Sequence, residues 1–191
     1  MKKISILLCL VVFFATCKKD VRVCTTYTQI TSQKHLVDIS PLKGAPQLID
    51  TLNKYSNLQV YRVIIDDATL GMECHVFCKG LQVFTHDFSL LKIKNNVPLY
   101  ASDSSFTDTI NLSTTPAINY LEAISIAHKN ENFSKTCISY QLGFYDINAS
   151  SNRLIKNYKL VWLVKGENDA PYVYMDANSG QVYNKFDGMF Y

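Results

Sequence analysis

Residues 172–183, YVYMDANSGQVY, alternate apolar and polar side chains on both sides of a group of turn-forming residues. A period of two places successive side chains on opposite faces of a strand, so this stretch predicts a β-hairpin. We assign the turn to Asp176, Asn178 and Gly180, because Asp and Asn side chains cap backbone amides and glycine accepts a positive φ. An antiparallel sheet is therefore expected in this part of the chain.

The first half of the chain predicts one helix followed by strands. Pro46 suits the first turn of a helix, and apolar residues follow it at helical spacing. These residues are Leu48, Ile49, Leu52 and Tyr55. Residues 58–66 and 73–93 are rich in strand-forming side chains, and Lys79-Gly80 predicts a tight turn within the second stretch.

The second half repeats this order of elements. Asn119 and Glu122 have the spacing of a capping box at the start of a helix. We predict that Leu121, Ile124 and Ala127 form the buried face of this helix, which ends near residue 130. Strands are expected over residues 136–146, 156–166, 171–176 and 181–186.

The repeated order predicts an α+β fold with two similar modules, each a helix packed on a small antiparallel sheet. The first module covers residues 45–104 and the second covers residues 117–191. Residues 105–116 between them are polar and are interpreted as a linker.

The N-terminal residues have the composition of an export signal. Residues 1–16 combine a basic start with an apolar run that is too short to span a bilayer. The tetrad Phe14-Ala15-Thr16-Cys17 resembles the lipobox of bacterial lipoproteins, although Phe14 replaces the usual leucine. The resemblance implies that Cys17 carries lipid, that residues 17–44 form a tether and lead-in, and that the protein is anchored in the bacterial cell envelope, with the outer membrane expected. The alternative is an ordinary cleaved signal followed by a chance cysteine.

The charge balance argues against a nucleic-acid partner. Lys and Arg number 19 against 16 Asp and Glu. Without Lys2 and Lys3 the basic count falls to 17, which leaves a net charge of about +1. A nucleic-acid-binding protein would show a basic patch or stripe. The only membrane contact expected is the N-terminal lipid.

Four of the six cysteines remain after Cys9 and Cys17 are assigned to the signal. An exported protein permits disulfides among Cys24, Cys74, Cys78 and Cys137. Cys74 and Cys78 on one strand would lie about 13 Å apart at ~3.3 Å per residue, beyond the ~7 Å limit for a disulfide. Two pairings remain open, Cys24–Cys74 with Cys78–Cys137 or Cys24–Cys78 with Cys74–Cys137. The alternative is four buried thiols.

Two segments resemble known modules. The stretches TPAINYLEAISIAHK, LGFYDIN, YKLVWLVKG and YVYMDANSGQVY resemble the PepSY domain, in which a helix precedes paired strands and a terminal hairpin. The earlier stretch HVFCKGLQVFTHDFSLLKIKNNVPLY resembles the FTP segment of thermolysin-type and fungalysin-type propeptides. The resemblance covers residues 45–191, and the order of the modules is that of these propeptides.

The resemblance implies a propeptide without its enzyme. A zinc protease would need His-Glu-x-x-His, and none of the histidines is followed by Glu. These histidines are His35, His75, His86 and His128. We expect a non-enzymatic lipoprotein that binds and regulates a secreted or envelope metalloprotease. The alternative is a structural or assembly lipoprotein with no protease partner.

The residue spacing disfavours a calcium site and a zinc site. Asp176 and Asn178 begin a calcium-loop spacing, but Gly180 stands where a ligand is needed. Strand alternation places His75 on the opposite face from Cys74 and Cys78, which argues against zinc. No cofactor, metal or small-molecule substrate is therefore expected. The apolar tail residues Phe186, Met189, Phe190 and Tyr191 are candidates for partner contact or for folding back onto the sheet.

Overall fold

Nine strands form one sheet in the part of the chain that the structure, a computed structural model, describes. That part comprises residues 27–30, 37–93, 99–101, 109–133, 137–149 and 155–188. The predicted α+β class is confirmed. No helix among these residues is long and apolar enough to cross a membrane.

The elements follow the chain in this order. The strands are β1 (Thr28–Gln29), β2 (Leu58–Ile65), β3 (Thr69–Cys78), β4 (Leu81–Ile93), β5 (Leu99–Ala101), β6 (Ser139–Asp146), β7 (Tyr158–Lys165), β8 (Tyr172–Asp176) and β9 (Val182–Phe186). The α-helices are α1 (Pro46–Lys54) and α2 (Tyr120–Asn130), and 3-10 helices cover Ser40–Gly44 and Glu167–Asp169.

The order of strands in the sheet is β2-β3-β4-β6-β7-β8-β9. In addition, β5 pairs with β4, and β1 pairs with β6. Every pairing is antiparallel except β4 with β6 and β1 with β6. Each half thus contributes one helix and antiparallel strands as predicted, but the strands of both halves belong to one sheet rather than to two small ones.

Local sequence accounts for the first half. Helix α1 begins at Pro46 and buries Leu48 and Leu52 in the core. Strands β3 and β4 are joined by Lys79 and Gly80, which have φ values of 51° and 80°. Positive φ at both central residues is the geometry that matches the twist of a two-residue hairpin.

Helix α2 has the predicted cap but a different buried face. The Asn119 side chain accepts from the amide of Glu122 at 3.1 Å, and the Glu122 carboxylate accepts from the amide of Asn119 at 2.9 Å. Ala123, Ile124 and Ala127 are buried, whereas Leu121 is 52 % exposed. The prediction for Leu121 is therefore wrong, because two residues turn a helix by about 200° and place it away from Ala123.

The described part of the predicted linker packs onto the sheet. Ile110 is buried in the core, and Leu112 is half-buried against it. The Lys79 ammonium group donates to the carbonyl oxygen of Leu112 at 3.0 Å. Ile110 and Leu112 therefore belong to the packed core rather than to a solvated linker.

A short parallel contact between β4 and β6 joins the two halves. It pairs Gln82 with Gly143 and Val83 with Phe144. A Cβ atom on Gly143 would lie 2.4 Å from a ring carbon of Phe84 and 2.6 Å from the carbonyl oxygen of Gln82. Only glycine therefore leaves room for the Phe84 ring at this junction.

The substitution Gly143→Ala tests this junction. The added methyl group must displace the Phe84 ring or the backbone of β4, and overpacking of this kind costs about 1–3 kcal/mol. We expect a lower melting temperature by circular dichroism. Gly44→Ala is the matched control, because a Cβ there meets nothing within 4 Å. Equal melting temperatures for the two variants would contradict the close packing at the junction.

Candidate functional site

The hairpin between β8 and β9 is organised by Asp176. Its Oδ1 accepts from the amides of Asn178 at 2.8 Å and Ser179 at 2.9 Å. Gly180 follows with φ 75°, and its amide donates to the Asp176 carbonyl oxygen at 2.9 Å. This is the Asp-capped turn with positive φ at glycine that the sequence predicts.

The second oxygen of Asp176 accepts a hydrogen bond from the Tyr183 hydroxyl at 2.7 Å. Burial alone would raise the pKa of Asp176, but the hydrogen bonds from Tyr183, Asn178 and Ser179 outweigh burial and hold the pKa below its usual value. Burial and the neighbouring carboxylate raise the pKa of Tyr183 far above its ordinary value. The pair therefore stabilises a charged carboxylate within the turn.

These contacts make the hairpin a structural turn. Both oxygens of Asp176 already accept hydrogen bonds from protein groups. Within the described ranges, no group of three or more His, Cys, Asp and Glu side chains is placed to hold a metal ion. The hairpin instead positions the aromatic side chains of β8 and β9.

The face of the sheet opposite the two helices, here called the open face, carries a continuous set of aromatic rings. We call this set the aromatic surface, and its members are Phe84, Tyr145, Tyr172, Tyr174 and Phe186. Tyr174 is central, with ring centroids 5.5 Å from Phe84, 4.9 Å from Tyr145 and 5.5 Å from Tyr172. The Tyr172 ring lies 5.6 Å from that of Phe186. These separations are those of favourable aromatic pairs.

Among the described residues, the aromatic surface covers the middle of the sheet on the open face. Phe84 belongs to β4 and Tyr174 to β8, with β6 and β7 between them. Their rings meet above the intervening strands because Gly143 provides the room. Val161 and Leu163 on the open face of β7 are consequently 0 % and 6 % exposed. The residues of the aromatic surface are themselves half-buried.

Basic groups flank the aromatic surface on the same face. Lys159 pairs in register with Tyr145, and Lys165 pairs with Tyr172. Lys165 forms an ion pair with Asp169. The Asn184 amide group donates to the Tyr145 hydroxyl at 3.3 Å. The open face therefore combines apolar ring area with tyrosine hydroxyls and a basic rim, a composition typical of protein-binding surfaces.

The disulfide bonding of the cysteines differs from the prediction. Cys74 and Cys78 are free thiols, whereas Cys137 is disulfide-bonded. Both predicted pairings are therefore wrong. Cys74 and Cys78 lie on β3, and β4 separates this strand from β6, which follows Cys137. β3 and β6 are therefore two strand spacings apart, about 9.6 Å, and this distance exceeds the Cα separation that a disulfide can bridge. Burial raises the pKa of Cys74 to about 12, so this thiol packs as a small apolar side chain.

The remaining predicted residues fall in different places. Cys17 and Cys24 lie outside the described residues, as do Met189, Phe190 and Tyr191. Phe186 folds back onto its own sheet and belongs to the aromatic surface. The sequence therefore placed one tail residue at the candidate site.

Four members of the aromatic surface were missed by sequence reasoning. Tyr172 and Tyr174 alternate with buried Val173 and Met175, so their shared face was visible in the strand pattern. The meeting of Phe84 with these rings was not visible, because it depends on the pairing of β4 with β6. The aromatic surface therefore depends on strands that are distant in the sequence and adjacent in the sheet.

Comparisons with known proteins add a distant likeness. No protein-family model matches the sequence, and no curated protein matches it. Among solved structures, the fold is similar to the Bacillus megaterium YpeB C-terminal domain, with 12 % sequence identity and a TM-score of 0.44. The match covers 82 % of this chain and 67 % of that one.

The pH dependence of stability tests the Asp176 turn. A carboxyl group with a depressed folded pKa contributes stability that is present above its unfolded pKa of about 4 and is lost as pH falls through the folded pKa. We expect Asp176→Asn to lower the free energy of unfolding at pH 7 by about 1 kcal/mol. The difference from the wild type should narrow below pH ~4.

Urea denaturation at pH 7 and pH 3 measures both effects. Asp67→Asn is the control, because Asp67 is exposed in the connection between β2 and β3. A difference between wild type and Asp176→Asn that is as large at pH 3 as at pH 7 would contradict the assignment of the charged carboxylate.

Proposed function

We propose that this protein is a non-enzymatic binding protein of the bacterial cell envelope that uses the aromatic surface to hold a partner protein. The partner that we propose is a secreted or envelope metalloprotease, which the chain restrains in the manner of a propeptide. The observation that carries the proposal is the aromatic surface, five half-buried rings on the face of the sheet that the helices leave uncovered.

The chemistry of this surface supports a protein partner. Tyrosine and phenylalanine provide large contact areas at a small cost in side-chain entropy, and they are enriched where interfaces are fully desolvated. Tyr145 and Tyr172 also carry hydroxyl groups that can donate to a partner backbone. Lys159 adds a positive charge beside Tyr145. A partner with apolar side chains and a nearby carboxylate would fit this composition.

The choice of a protease rests on the sequence. The resemblance to FTP and PepSY segments occurs in the order found in metalloprotease propeptides, and the sequence has no His-Glu-x-x-His. A propeptide acts by covering its enzyme and needs no reactive groups. In the described part of the α+β fold, α1 and α2 both lie on the other face of the sheet, so the open face is a surface on which an enzyme can be held.

Membrane anchoring would make a detached propeptide effective. Linkage to an enzyme raises the effective concentration of a propeptide to roughly millimolar when the linker is short. A regulator and an enzyme on two different chains would lack this linkage. We propose that lipidation of Cys17 restores local concentration, because an anchored protease and an anchored regulator share one surface.

Titration against metalloproteases of the same organism tests the proposal. Purified residues 18–191 are added to each enzyme, and hydrolysis of a small fluorogenic peptide is followed. A small substrate reports on the active site and avoids competition with a bulky protein substrate. We expect inhibition at micromolar concentrations by the wild type, and a roughly tenfold or greater loss in affinity for Tyr172→Ala, as for a central interface residue.

Tyr120→Ala is the matched control. Tyr120 is 38 % exposed at the start of α2, on the opposite side of the sheet from Tyr172. This variant should inhibit like the wild type. If no metalloprotease is inhibited or retained, the protease proposal fails and a structural role in the envelope takes its place. If both variants inhibit like the wild type, the enzyme is bound elsewhere than on the aromatic surface.

A further inference from the structure

Strand β2 is an outer strand whose free edge is long and apolar. Among the described residues, no strand pairs with the edge of β2 that faces away from β3. The strand has eight residues, LQVYRVII, with Arg62 as its single charge. Tyr61 is 38 % exposed and Ile65 is 57 % exposed. An edge of this kind is a template for pairing with another strand.

The opposite edge of the sheet lacks these properties. Strand β9 has five residues, and its pairing with β8 is interrupted by a register shift. Asn184 and Lys185 are exposed on it, and Lys185 pairs with Glu131 at 3.2 Å. Short length and an exposed lysine are features by which sheet edges avoid association. The contrast singles out β2.

Hydrogen bonds at the two ends of β2 show which peptide groups point outward. The Asn57 carbonyl accepts from the Phe77 amide at 2.8 Å, and the Asp66 amide donates to the Thr69 carbonyl at 3.0 Å. In an antiparallel pair, residues alternate between pointing toward the partner strand and pointing away from it. The peptide groups that point away from β3 are those of Val60, Val63 and Ile65, together with the carbonyl of Leu58.

An irregularity in the middle of β2 makes its side-chain pattern symmetric. The register with β3 shifts between Val60 and Arg62. Tyr61 therefore shares the open face with Arg62, since Tyr61 stacks on His75 at 4.1 Å and Arg62 pairs with Glu73 at 3.5 Å. Apolar residues on the helix-covered face precede and follow this pair. From either end of β2, the side chains alternate between the helix-covered face and the open face in the same order.

We propose that β2 is a dimerisation edge on which a second copy of this chain adds its own β2 in antiparallel orientation. In the proposed register, the peptide groups that point away from β3 face each other across the two copies. Val60 then lies opposite Val63 of the second copy, and Leu58 lies opposite Ile65 of the second copy. Tyr61 then lies opposite Arg62 of the second copy. Each Arg62 guanidinium is therefore beside an aromatic ring, and the two Arg62 side chains are not opposite each other. A continuous sheet across two copies results.

The dimer is independent of the proposed binding function. The aromatic surface involves β4, β6, β8 and β9, whereas the dimer uses the free edge of β2. Two copies joined at β2 would each keep the aromatic surface open. Loss of dimerisation and loss of protease binding are therefore separate results, and crosslinking at β2 measures only the first.

Site-specific photo-crosslinking of the full chain in its own cells tests the dimer. The photoreactive residue p-benzoylphenylalanine replaces Tyr61, and the control position is Tyr120, which has the same 38 % exposure. We expect illumination to give an adduct of twice the chain mass from position 61 and none from position 120. Absence of this adduct, or adducts with other proteins alone, would overturn the proposal.

Two edge variants show whether pairing through β2 produces the adduct. Ile65→Lys places a charge opposite Leu58 of the second copy, and Ile155→Lys is its matched control because Ile155 is 60 % exposed away from this edge. Val63→Pro removes an N–H group that points away from β3, so the hydrogen bonds between β2 and β3 are kept. Both edge variants should abolish the adduct at normal protein levels, whereas Ile155→Lys should retain it. An adduct that persists in both edge variants would contradict pairing through β2.

Discussion

The parallel contact between β4 and β6 is the interaction on which the rest of the structure depends. It is only two residue pairs long, yet it joins the strands of both halves into one sheet. The contact requires glycine at position 143, because any side chain there would collide with Phe84 and with the β4 backbone. The buried residues of both halves form one core beneath this joined sheet.

The same contact creates the aromatic surface. Because Gly143 has no side chain, Phe84 reaches across β6 and β7 to Tyr174. Val161 and Leu163 on the same face of the sheet are buried. This covering leaves the five rings half-buried rather than fully buried. Exposed aromatic area that is already ordered by its neighbours loses little entropy on binding, which is why it suits the recognition of a partner. The proposed function follows from this order and exposure.

The sequence was sufficient for local structure. The Asn119 capping box, the Lys79-Gly80 turn and the Asp176 hairpin each depend on residues within a few positions of one another, and the structure has all three. Relations between distant segments were not predictable. Gln82 and Gly143 are adjacent only in the folded chain, so no local pattern indicated the joining of two expected sheets. The cysteine pairings failed for the same reason, because they assumed that β3 lies close to Cys137.

The central claim is that a partner covers the aromatic surface in the cell envelope. Hydroxyl-radical footprinting tests it directly, since oxidation of Tyr and Phe side chains reports their exposure to solvent. The full chain is oxidised in intact envelopes and after purification, with Tyr120 as the internal reference. Phe84, Tyr172 and Tyr174 should oxidise more slowly in the envelope than in the purified protein, while Tyr120 is unchanged. Equal oxidation of the aromatic surface in both preparations would contradict the account.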